Sequence, residues 1–564
     1  MDSALVSLLR EAQALSEDSL AVLANAQRGD GEGVVASVVR LGLAGEEEFL
    51  RAVAPALGIE YMDVEGREAP SDLIGRIPPR AVAQYGVVPV SYEDEILTVA
   101  TSEPFDTALV DGLRLATGCE IALVACTREK ITKQSNKYYG VGADTLAKMA
   151  DAGIYDADTG SEASKFDLSE VNQEASIVKF VNQIIAEADR QGATDIHFEP
   201  MEKELRIRYR IDGMLHKVDV PPALHRLQAA VTSRIKVMAN LDIAEKRLPM
   251  DGRIGIRVNG KEIDIRVSTC PIVYGESISL RLLQKGGGVV RLDQLGFSER
   301  DDKLIRRTIT RPNGIVLVTG PTGSGKSTSL YAFLHEINTI DKRILTAEEP
   351  VEYEMAGINQ VLVKSDIGLT FARALRSFLR QDPDIIMVGE IRDKETAEIA
   401  INASLTGHLV FSTLHTNDSA GAFARLIDMG VEPFLVSSSV VAVLAQRLVR
   451  RLCPACREPG PPDLRLLSAM DVDPAIFNGK GNWNPKGCQK CGNTGYKGRG
   501  GIFEVLHVTD AVRTLVTAHR PTSEIRAKAI EEGMTLLRDD GFAKVFSGFT
   551  SVEEVNRVTA DSDE

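Results

Sequence analysis

The sequence lacks three features that would each indicate a different class of protein. It has no apolar run long enough to span a membrane, no excess of basic residues, and no cysteine pattern typical of a disulfide-bonded protein. Its longest apolar stretches, such as residues 434–445, fall short of the roughly 18 residues that span a membrane. Lys and Arg number 65 against 80 Asp and Glu, a net charge of −15, so sequence-independent capture of nucleic acid is not expected. Seven cysteines, an odd number, fit a reducing compartment better than disulfide pairing. Asp2 stands where a signal peptide would carry Lys or Arg, which favours a cytoplasmic protein.

What the chain does contain is an ordinary globular composition spread over several domains. At 564 residues, with 44% hydrophobic and 26% charged residues, it predicts three or four domains. The stretch after residue 141 is rich in acidic residues, Gly, Ser and Thr, which predicts a solvated linker. The predicted divisions are a helical lobe (1–50), an α/β domain (53–141), the acidic linker (142–175), a middle α/β domain (176–285) and a C-terminal domain (290–564).

The strand pattern after Gly314 predicts an α/β fold with a mostly parallel sheet. The apolar runs IVLVT, RILTA, DIIMVG and LVFST alternate with helical segments, as they do in sheets covered on both faces. In the middle domain, alternating strands such as ELRIRYRI follow a helix predicted over residues 177–190. Nearer the N-terminus, apolar runs at 87–90 and 97–100 and a helix over 107–117 predict a separate α/β module.

A phosphate-binding loop follows the IVLVT strand. Residues 320–328 read GPTGSGKST, which fits G-x-x-x-x-G-K-[ST], and helix-compatible sequence comes next. Glycines here let main-chain N–H groups surround phosphates at the positive end of a helix. Lys326 is predicted to contact the β and γ phosphates of ATP, and Ser327 to ligate Mg²⁺. The predicted nucleotide-binding residues are Gly320, Pro321, Thr322, Gly323, Ser324, Gly325, Lys326, Ser327 and Thr328.

Two groups of acidic residues also follow apolar strands. Glu348 and Glu349 come after RILTA, and Glu390 comes after DIIMVG. ATP hydrolysis needs a water-orienting group and an acidic group near Mg²⁺, and both are found where parallel strands end. We assign Glu348 as the water-polarising base and Glu390 as the acid on the magnesium side, with Glu349 as the second choice.

Two histidines, His408 and His415, flank the LVFST strand. Their separation would place them on opposite faces of an unbroken strand, but we expect the strand to end before His415. Two interpretations stay open for each histidine: it senses the γ-phosphate or a neighbouring subunit, or it is structural.

Four cysteines form two C-x-x-C pairs, CPAC and CQKC, separated by 31 residues. Four thiolates suit tetrahedral zinc, and with no open position for water the predicted role is structural. Reduced thiols without metal are the alternative. The predicted zinc ligands are Cys453, Cys456, Cys488 and Cys491, and the cysteines predicted to be plain buried residues are Cys119, Cys126 and Cys270.

Together these motifs resemble the secretion and pilus-assembly ATPases of the type II secretion and type IV pilus systems. The resemblance covers nearly the whole chain. The family's acidic box usually reads Glu-Asp-Pro, whereas this chain has Glu348, Glu349 and Pro350. The matching stretches are TDIHFEP (194–200), RIRYRIDG (206–213), KRLPMDGRI (246–254), the phosphate loop, ILTAEEPVEY, RQDPDIIMVGEIRD, TGHLVFSTLHTN and the tetracysteine segment.

The resemblance implies a homohexamer that is cytoplasmic and reaches the inner membrane only through its partners. Each subunit would have a RecA-like ATPase core, a PAS-like α/β middle domain, and an N-terminal domain that joins platform proteins of the inner membrane. Carried over by position, Arg266 and Arg281 are arginines that close onto the nucleotide's phosphates, and Arg376 and Arg380 lie at the subunit boundary. Related motors bind cyclic di-GMP through N-terminal repeats, but the short RLG element at 40–42 does not predict it here.

The function expected from the resemblance is a motor in which ATP hydrolysis adds pilin-like subunits to a growing fibre. The segment EPFLVSSSVVAVLAQRLVRRLCPAC favours a secretion motor over a pilus extension motor, which stays the alternative. The alternative of another class is a hexameric nucleic acid translocase. The net charge of −15 counts against a translocase, and DNA-stimulated ATP turnover would support one.

Overall fold

The computed structural model describes residues 3–26, 33–143, 145, 168–258, 260–284 and 290–560. It contains two compact units, Met1–Gln284 and Lys285–Glu564. Residues 146–167, most of the predicted acidic linker, lie outside the described residues. Within the described ranges, no helix combines the length and the apolar character needed to cross a membrane.

The first unit begins with a lobe of short helices, as predicted. Its helices are α1 (Ser3–Glu11), α2 (Glu17–Asn25), α3 (Val34–Arg40) and α4 (Glu46–Val53). The buried face of α4 presents Phe49, Leu50 and Val53, which share one hydrophobic core with Leu9 of α1. The helices therefore bury a common apolar stripe, which is how short amphipathic helices become stable.

A small α/β layer follows the helical lobe. Its elements are β1 (Glu60–Tyr61), α5 (Ser71–Ile74), α6 (Pro79–Tyr85), β2 (Val87–Glu93), β3 (Ile96–Thr101), α7 (Thr107–Thr117), β4 (Glu120–Ala125) and α8 (Arg128–Tyr139). The sheet order is β1-β4-β3-β2, with β4 parallel to both neighbours and β2 antiparallel to β3. The predicted strands at 87–90 and 97–100 and the predicted helix at 107–117 are confirmed.

The rest of the first unit is a six-stranded antiparallel sheet and two helices that share one hydrophobic core with it. Its elements are α9 (Leu168–Arg190), β5 (Ala193–Pro200), β6 (Leu205–Ile211), β7 (Met214–Val218), α10 (Gln228–Met238), β8 (Met250–Val258), β9 (Lys261–Ile272) and β10 (Gly275–Gln284). The strand order is β7-β6-β5-β10-β9-β8. In β6, Leu205, Ile207 and Tyr209 are buried while the arginines between them are not, so one sheet face is polar.

Two features of this layer differ from the sequence prediction. The helix α9 begins at Leu168, inside the segment predicted to be linker, rather than at residue 177. On the other side of that segment, Val141, the last residue of the predicted N-terminal α/β domain, is buried in the core of the antiparallel sheet. Cys270 was expected to be buried but is exposed, because Thr269 on its N-terminal side takes the core-facing position in β9.

The second unit is built on a seven-stranded sheet in the order β13-β12-β14-β15-β11-β16-β19. Every neighbouring pair is parallel except β16 and β19, so the predicted mostly parallel sheet is confirmed. The strands are β11 (Gly314–Thr319), β12 (Ile344–Glu348), β13 (Asn359–Leu362), β14 (Ile385–Val388), β15 (Leu409–Leu414), β16 (Val440–Leu452), β17 (Glu458–Pro459), β18 (Trp483–Asn484) and β19 (Tyr496–His507).

Helices cover this sheet and continue to the C-terminal end of the described chain. They are α11 (Glu299–Ile309), α12 (Lys326–Ile337), α13 (Phe371–Phe378), α14 (Lys394–Leu405), α15 (Gly421–Asp428), α16 (Pro433–Ser439), α17 (Leu464–Ala469), α18 (Asp510–Thr517), α19 (Thr522–Glu531), α20 (Leu537–Phe546) and α21 (Val552–Thr559). All six residues of β11 are buried, as expected for a central strand with helices on both faces. Because β12, β14, β15 and β11 run in parallel, the loops that follow them share one edge of the sheet.

Candidate functional site

The predicted phosphate loop lies at that shared edge, between β11 and the start of α12. The backbone at Gly320 has φ 142°, and a Cβ there would lie 2.6 Å from the main-chain oxygen of Gln446. Gly325, the residue before the helix, has φ 89°. Glycine is required at both points because of this close approach and these positive φ values. Ser327, in the first turn of α12, is exposed and therefore available to a metal ion.

The side chain of Lys326 is held by main-chain carbonyl groups at the start of the loop. Its ammonium group donates to the carbonyl oxygens of Gly320 at 2.8 Å and Pro321 at 3.0 Å. Burial lowers the pKa of Lys326, the negative charge of Glu390 raises it and the positive charge of Arg447 lowers it, and together they bring this pKa to about 8. A phosphate group bound beside the lysine would therefore stabilise its positive charge.

Gln446 and Arg447 of β16 support the loop, and sequence reasoning missed both. The Gln446 side chain is buried, donates to the Ser324 carbonyl at 2.8 Å and accepts from the Ser329 hydroxyl at 2.7 Å. Arg447 donates to the Asn417 carbonyl at 2.9 Å, in the segment after β15. The signal was present in the sequence, because an adjacent Gln and Arg interrupt the apolar run AVLAQRLV.

Glu348, the predicted base, is the last residue of β12 and is 4% exposed. One carboxylate oxygen accepts from the Thr346 hydroxyl at 2.6 Å and from the Gln360 amide at 3.0 Å. The other oxygen accepts from the hydroxyl of Tyr331 in α12. Both oxygens thus have protein partners, and because a carboxylate oxygen has two lone pairs, the oxygen bound by Tyr331 can also accept a hydrogen bond from a water molecule.

The other two acidic candidates are joined by an arginine that the sequence analysis did not single out. Arg392 donates to Glu349 at 3.2 Å through one terminal nitrogen and to Glu390 through the other. The hydrogen bond that Arg392 donates to Glu390 raises the pKa of the guanidinium. The two acidic motifs therefore meet in space, as their positions at neighbouring strand ends predicted.

The structure brings one of the two histidines to this edge. The strand β15 ends at Leu414, as expected, and the Nε2 atom of His415 lies 3.4 Å from a carboxylate oxygen of Glu390. His408 precedes β15 at the opposite edge, with its Nδ1 atom 2.8 Å from the Ala403 carbonyl oxygen. A role for His408 at the phosphate loop of its own chain is therefore not supported, because the whole length of β15 separates them.

Two of the four predicted arginines lie in the first unit, and two lie in the second with the phosphate loop. Arg266 and Arg281 face each other on β9 and β10, and Arg281 donates to Asp195 at 2.9 Å. Arg376 in α13 forms an ion pair with Glu395. Arg380 follows the same helix and is exposed.

The four predicted zinc ligands come together between β16 and β19, with their sulfur atoms within 4.8 Å of one another. Three of the sulfur pairs lie at 3.8–3.9 Å. A tetrahedral zinc site with Zn–S bonds of about 2.3 Å places its sulfurs about 3.8 Å apart, so the arrangement fits the ion.

The surroundings act in opposite directions on two of the cysteines, and at Cys491 they favour a bound cation. Burial raises the pKa of the Cys456 thiol to about 12. At Cys491 burial acts in the same direction, but the N–H groups of Cys488 and Gly495, each donating at 3.2 Å, lower the pKa to about 7. N–H groups that stabilise a thiolate are what a metal-binding cysteine needs.

Comparison with known proteins places this chain in a family. A family model described as Type II/IV secretion system protein matches residues 170–557, and one described as MshEN domain matches residues 57–145. The type IV pilus assembly ATPase PilB of Myxococcus xanthus is 42% identical over 564 residues, covering 99% of each chain. The type II secretion system protein E of Xanthomonas campestris pv. campestris is 41% identical and covers 100% of this chain and 99% of the relative.

A third relative, the type II secretion system protein E of Pseudomonas aeruginosa, is 53% identical over 395 residues, covering 70% of this chain and 78% of the relative. The matches extend over nearly the full length of the chain and include the phosphate loop, the acidic segments and the cysteines described above. The chain therefore belongs to the type II/IV secretion system protein family, that of the secretion and pilus-assembly ATPases.

Proposed function

We propose that this protein is a cytoplasmic motor that hydrolyses ATP in its second unit and uses the energy to add pilin-like subunits to a fibre at the inner membrane. One observation carries the proposal: a phosphate loop with a half-buried lysine lies at the same sheet edge as Glu390, Arg392 and the end of β12. Of the two machines named by the relatives, we assign it to type II secretion. The 53% identity to a secretion protein supports that choice over pilus extension.

In this mechanism the residues of the loop hold the triphosphate. Lys326 would exchange its carbonyl partners for the β and γ phosphates, and Ser327 would ligate Mg²⁺ at the exposed first turn of α12. Held there, Mg²⁺ would supply positive charge that offsets the charge of the phosphates. Glu390 acts on the magnesium side, where Arg392 and His415 fix its carboxylate. The water-orienting carboxylate comes from the segment 348–352.

The assembly around this site is proposed to be a homohexamer. Two relatives with assigned roles in secretion and pilus assembly match from end to end, which supports a shared quaternary plan. Arg266 and Arg281 of the middle layer are proposed to approach the phosphates during the cycle, and the N-terminal domain is proposed to bind the platform proteins that bring the motor to the membrane. Light scattering on the purified protein with a non-hydrolysable ATP analogue should give six times the chain mass.

A gene deletion separates the two proposed roles. Loss of the protein should stop export of proteins through the outer membrane and leave surface pili intact. Loss of pili with normal export would assign the chain to pilus extension instead. Complementation with the wild-type gene is the control. In a separate assay on the purified protein, stimulation of ATP turnover by added DNA would favour the alternative of a nucleic acid translocase.

The depressed pKa of Lys326 gives a prediction about nucleotide binding. Above about pH 8 the empty loop holds a neutral lysine, which must take up a proton to pair with a phosphate. The dissociation constant for ATP should therefore rise by about 10-fold per pH unit above that value and stay flat well below it. Fluorescent-nucleotide titrations over this range measure it, with Lys326→Gln as the pH-independent control. A flat profile in the wild type would contradict the prediction.

The tetracysteine site is proposed to hold one structural zinc ion per chain. Metal analysis of the full-length protein should find about one zinc per chain, and Cys491→Ser should lower that content. Cys270→Ser, which alters an exposed cysteine elsewhere, is the matched control and should leave zinc unchanged. Metal-free protein with all four thiols titratable would overturn the assignment.

A further inference from the structure

A single tyrosine hydroxyl connects the helix of the phosphate loop to the acidic segment. Tyr331 lies five residues after Lys326 in α12 and is 1% exposed. Its hydroxyl donates to the Glu348 carboxylate and accepts from the main-chain N–H of Glu352 at 3.1 Å. The same atom thus fixes a side chain at one end of the segment 348–352 and the backbone at the other.

Gln360 and Tyr353 add further contacts around Glu348 and Tyr331. The Gln360 side chain donates to Glu348 at 3.0 Å and to the Tyr353 carbonyl at 3.2 Å, and accepts from the Met355 N–H at 2.8 Å. The rings of Tyr331 and Tyr353 meet edge to face with their centroids 4.5 Å apart. The acidic segment is therefore tied to α12 through Tyr331 and to β13 through Gln360.

Packing alone does not account for a tyrosine at this position. A phenylalanine would fill the same space, and a buried hydroxyl is costly unless it has partners. Burial raises the pKa of Tyr331, and so does the charge of Glu348, so the hydroxyl stays protonated and remains a donor. The hydroxyl donates one hydrogen bond and accepts another, and both partners belong to the segment that carries the candidate acids.

We propose that Tyr331 is a positioning residue that makes the acidic segment 348–352 move with the helix that begins at Lys326. This inference rests on the proposed ATP hydrolysis, because it assigns Tyr331 the task of setting the water-orienting carboxylate relative to the bound phosphates. Tyr331 acts through Glu348 and the backbone of Glu352. Nucleotide binding by the glycine loop is separate, since Gln446 and Lys326 hold that loop.

The test is Tyr331→Phe, which keeps the ring and removes the hydroxyl. We expect kcat for ATP to fall about 10- to 100-fold, while KM and the nucleotide dissociation constant change by less than about 2-fold. Tyr209→Phe is the matched control: its hydroxyl is equally buried and donates to the Ile184 carbonyl at 2.7 Å in the first unit. That control should lose comparable thermal stability and keep its kcat.

A double-mutant cycle with Glu348→Gln separates positioning from simple loss of stability. If Tyr331 acts through Glu348, the double variant should be no more than about 3-fold slower than Glu348→Gln alone. If Tyr331→Phe folds poorly, Gln360→Met replaces it in the test. This variant removes the amide that holds Glu348 and Tyr353, and it should show the same selective loss of kcat. An unchanged kcat in Tyr331→Phe, or effects that multiply independently, would overturn the inference. Wild-type protein without ATP turnover would overturn the proposed function and this inference with it.

Discussion

Replacing Lys326 by Ala is expected to lower ATP turnover by about 10³-fold or more. Lys326 is half-buried at the loop, and its ammonium group is the cation closest to the bound phosphates in the proposed mechanism. Its removal also leaves the Gly320 and Pro321 carbonyls without their present donor. Steady-state phosphate release measures the effect, with thermal unfolding of the same sample to show that the fold persists.

Lys303→Ala is the matched control for this substitution. Lys303 belongs to the same unit, its side chain is 73% exposed, and its contact is an ion pair with Glu299 in α11. Exposed pairs of this kind contribute roughly 0–1 kcal/mol, so turnover should stay within about 2-fold of the wild type. Equal turnover in Lys326→Ala and Lys303→Ala would remove the phosphate loop from the mechanism.

Glu390→Gln and Glu348→Gln are each expected to lower turnover by about 100-fold, for different reasons. At Glu390 the change removes the negative charge that faces Lys326 and pairs with Arg392. At Glu348 it replaces an oxygen acceptor by an amide and disrupts bonds from Tyr331, Thr346 or Gln360. The measurement is kcat for ATP with magnesium in excess.

Glu352→Gln, compared with Glu348→Gln, identifies the water-orienting group within the acidic segment. Glu352 is less buried than Glu348, and its backbone rather than its side chain is bound to Tyr331. A larger loss at Glu352 would transfer the role of base to that residue and leave Glu348 as a positioning group. Glu354→Gln is the control, since this exposed acid lies two residues beyond the segment. Wild-type rates in both Glu348→Gln and Glu352→Gln would exclude these two residues as the water-orienting group.

The elements of the ATPase sheet were predictable because their signals are local and strong. A wholly buried central strand is an unbroken apolar run, and parallel strands bring the following loops to one edge. That rule grouped Glu348 and Glu390 as candidates at one edge of the sheet, whereas the 3.4 Å contact between His415 and Glu390 was not predicted. The same rule separates the two histidines, since His408 precedes β15 and His415 follows it, but the sequence analysis did not apply it to them and left both interpretations open.

The supporting residues were harder to predict, since their partners are distant in sequence. Gln446 binds Ser324 and Ser329 more than a hundred residues away, and Arg392 joins two separate acidic motifs. The start of α9 at Leu168 was missed because polar and acidic residues dominate its first turns, so composition indicated a linker. The hexamer, the PAS-like and RecA-like descriptions and the roles of the arginines stay predictions.

The claim at the centre of this account is that hydrolysis at the loop ending in Lys326 drives fibre growth. The most direct test measures ATP turnover and fibre elongation together, in cells or reconstituted membranes, for the wild type, Tyr331→Phe, Glu390→Gln and Lys326→Ala. The account predicts that elongation falls in proportion to turnover and stops in Lys326→Ala. Elongation at the wild-type pace in a variant that no longer cleaves ATP would contradict it.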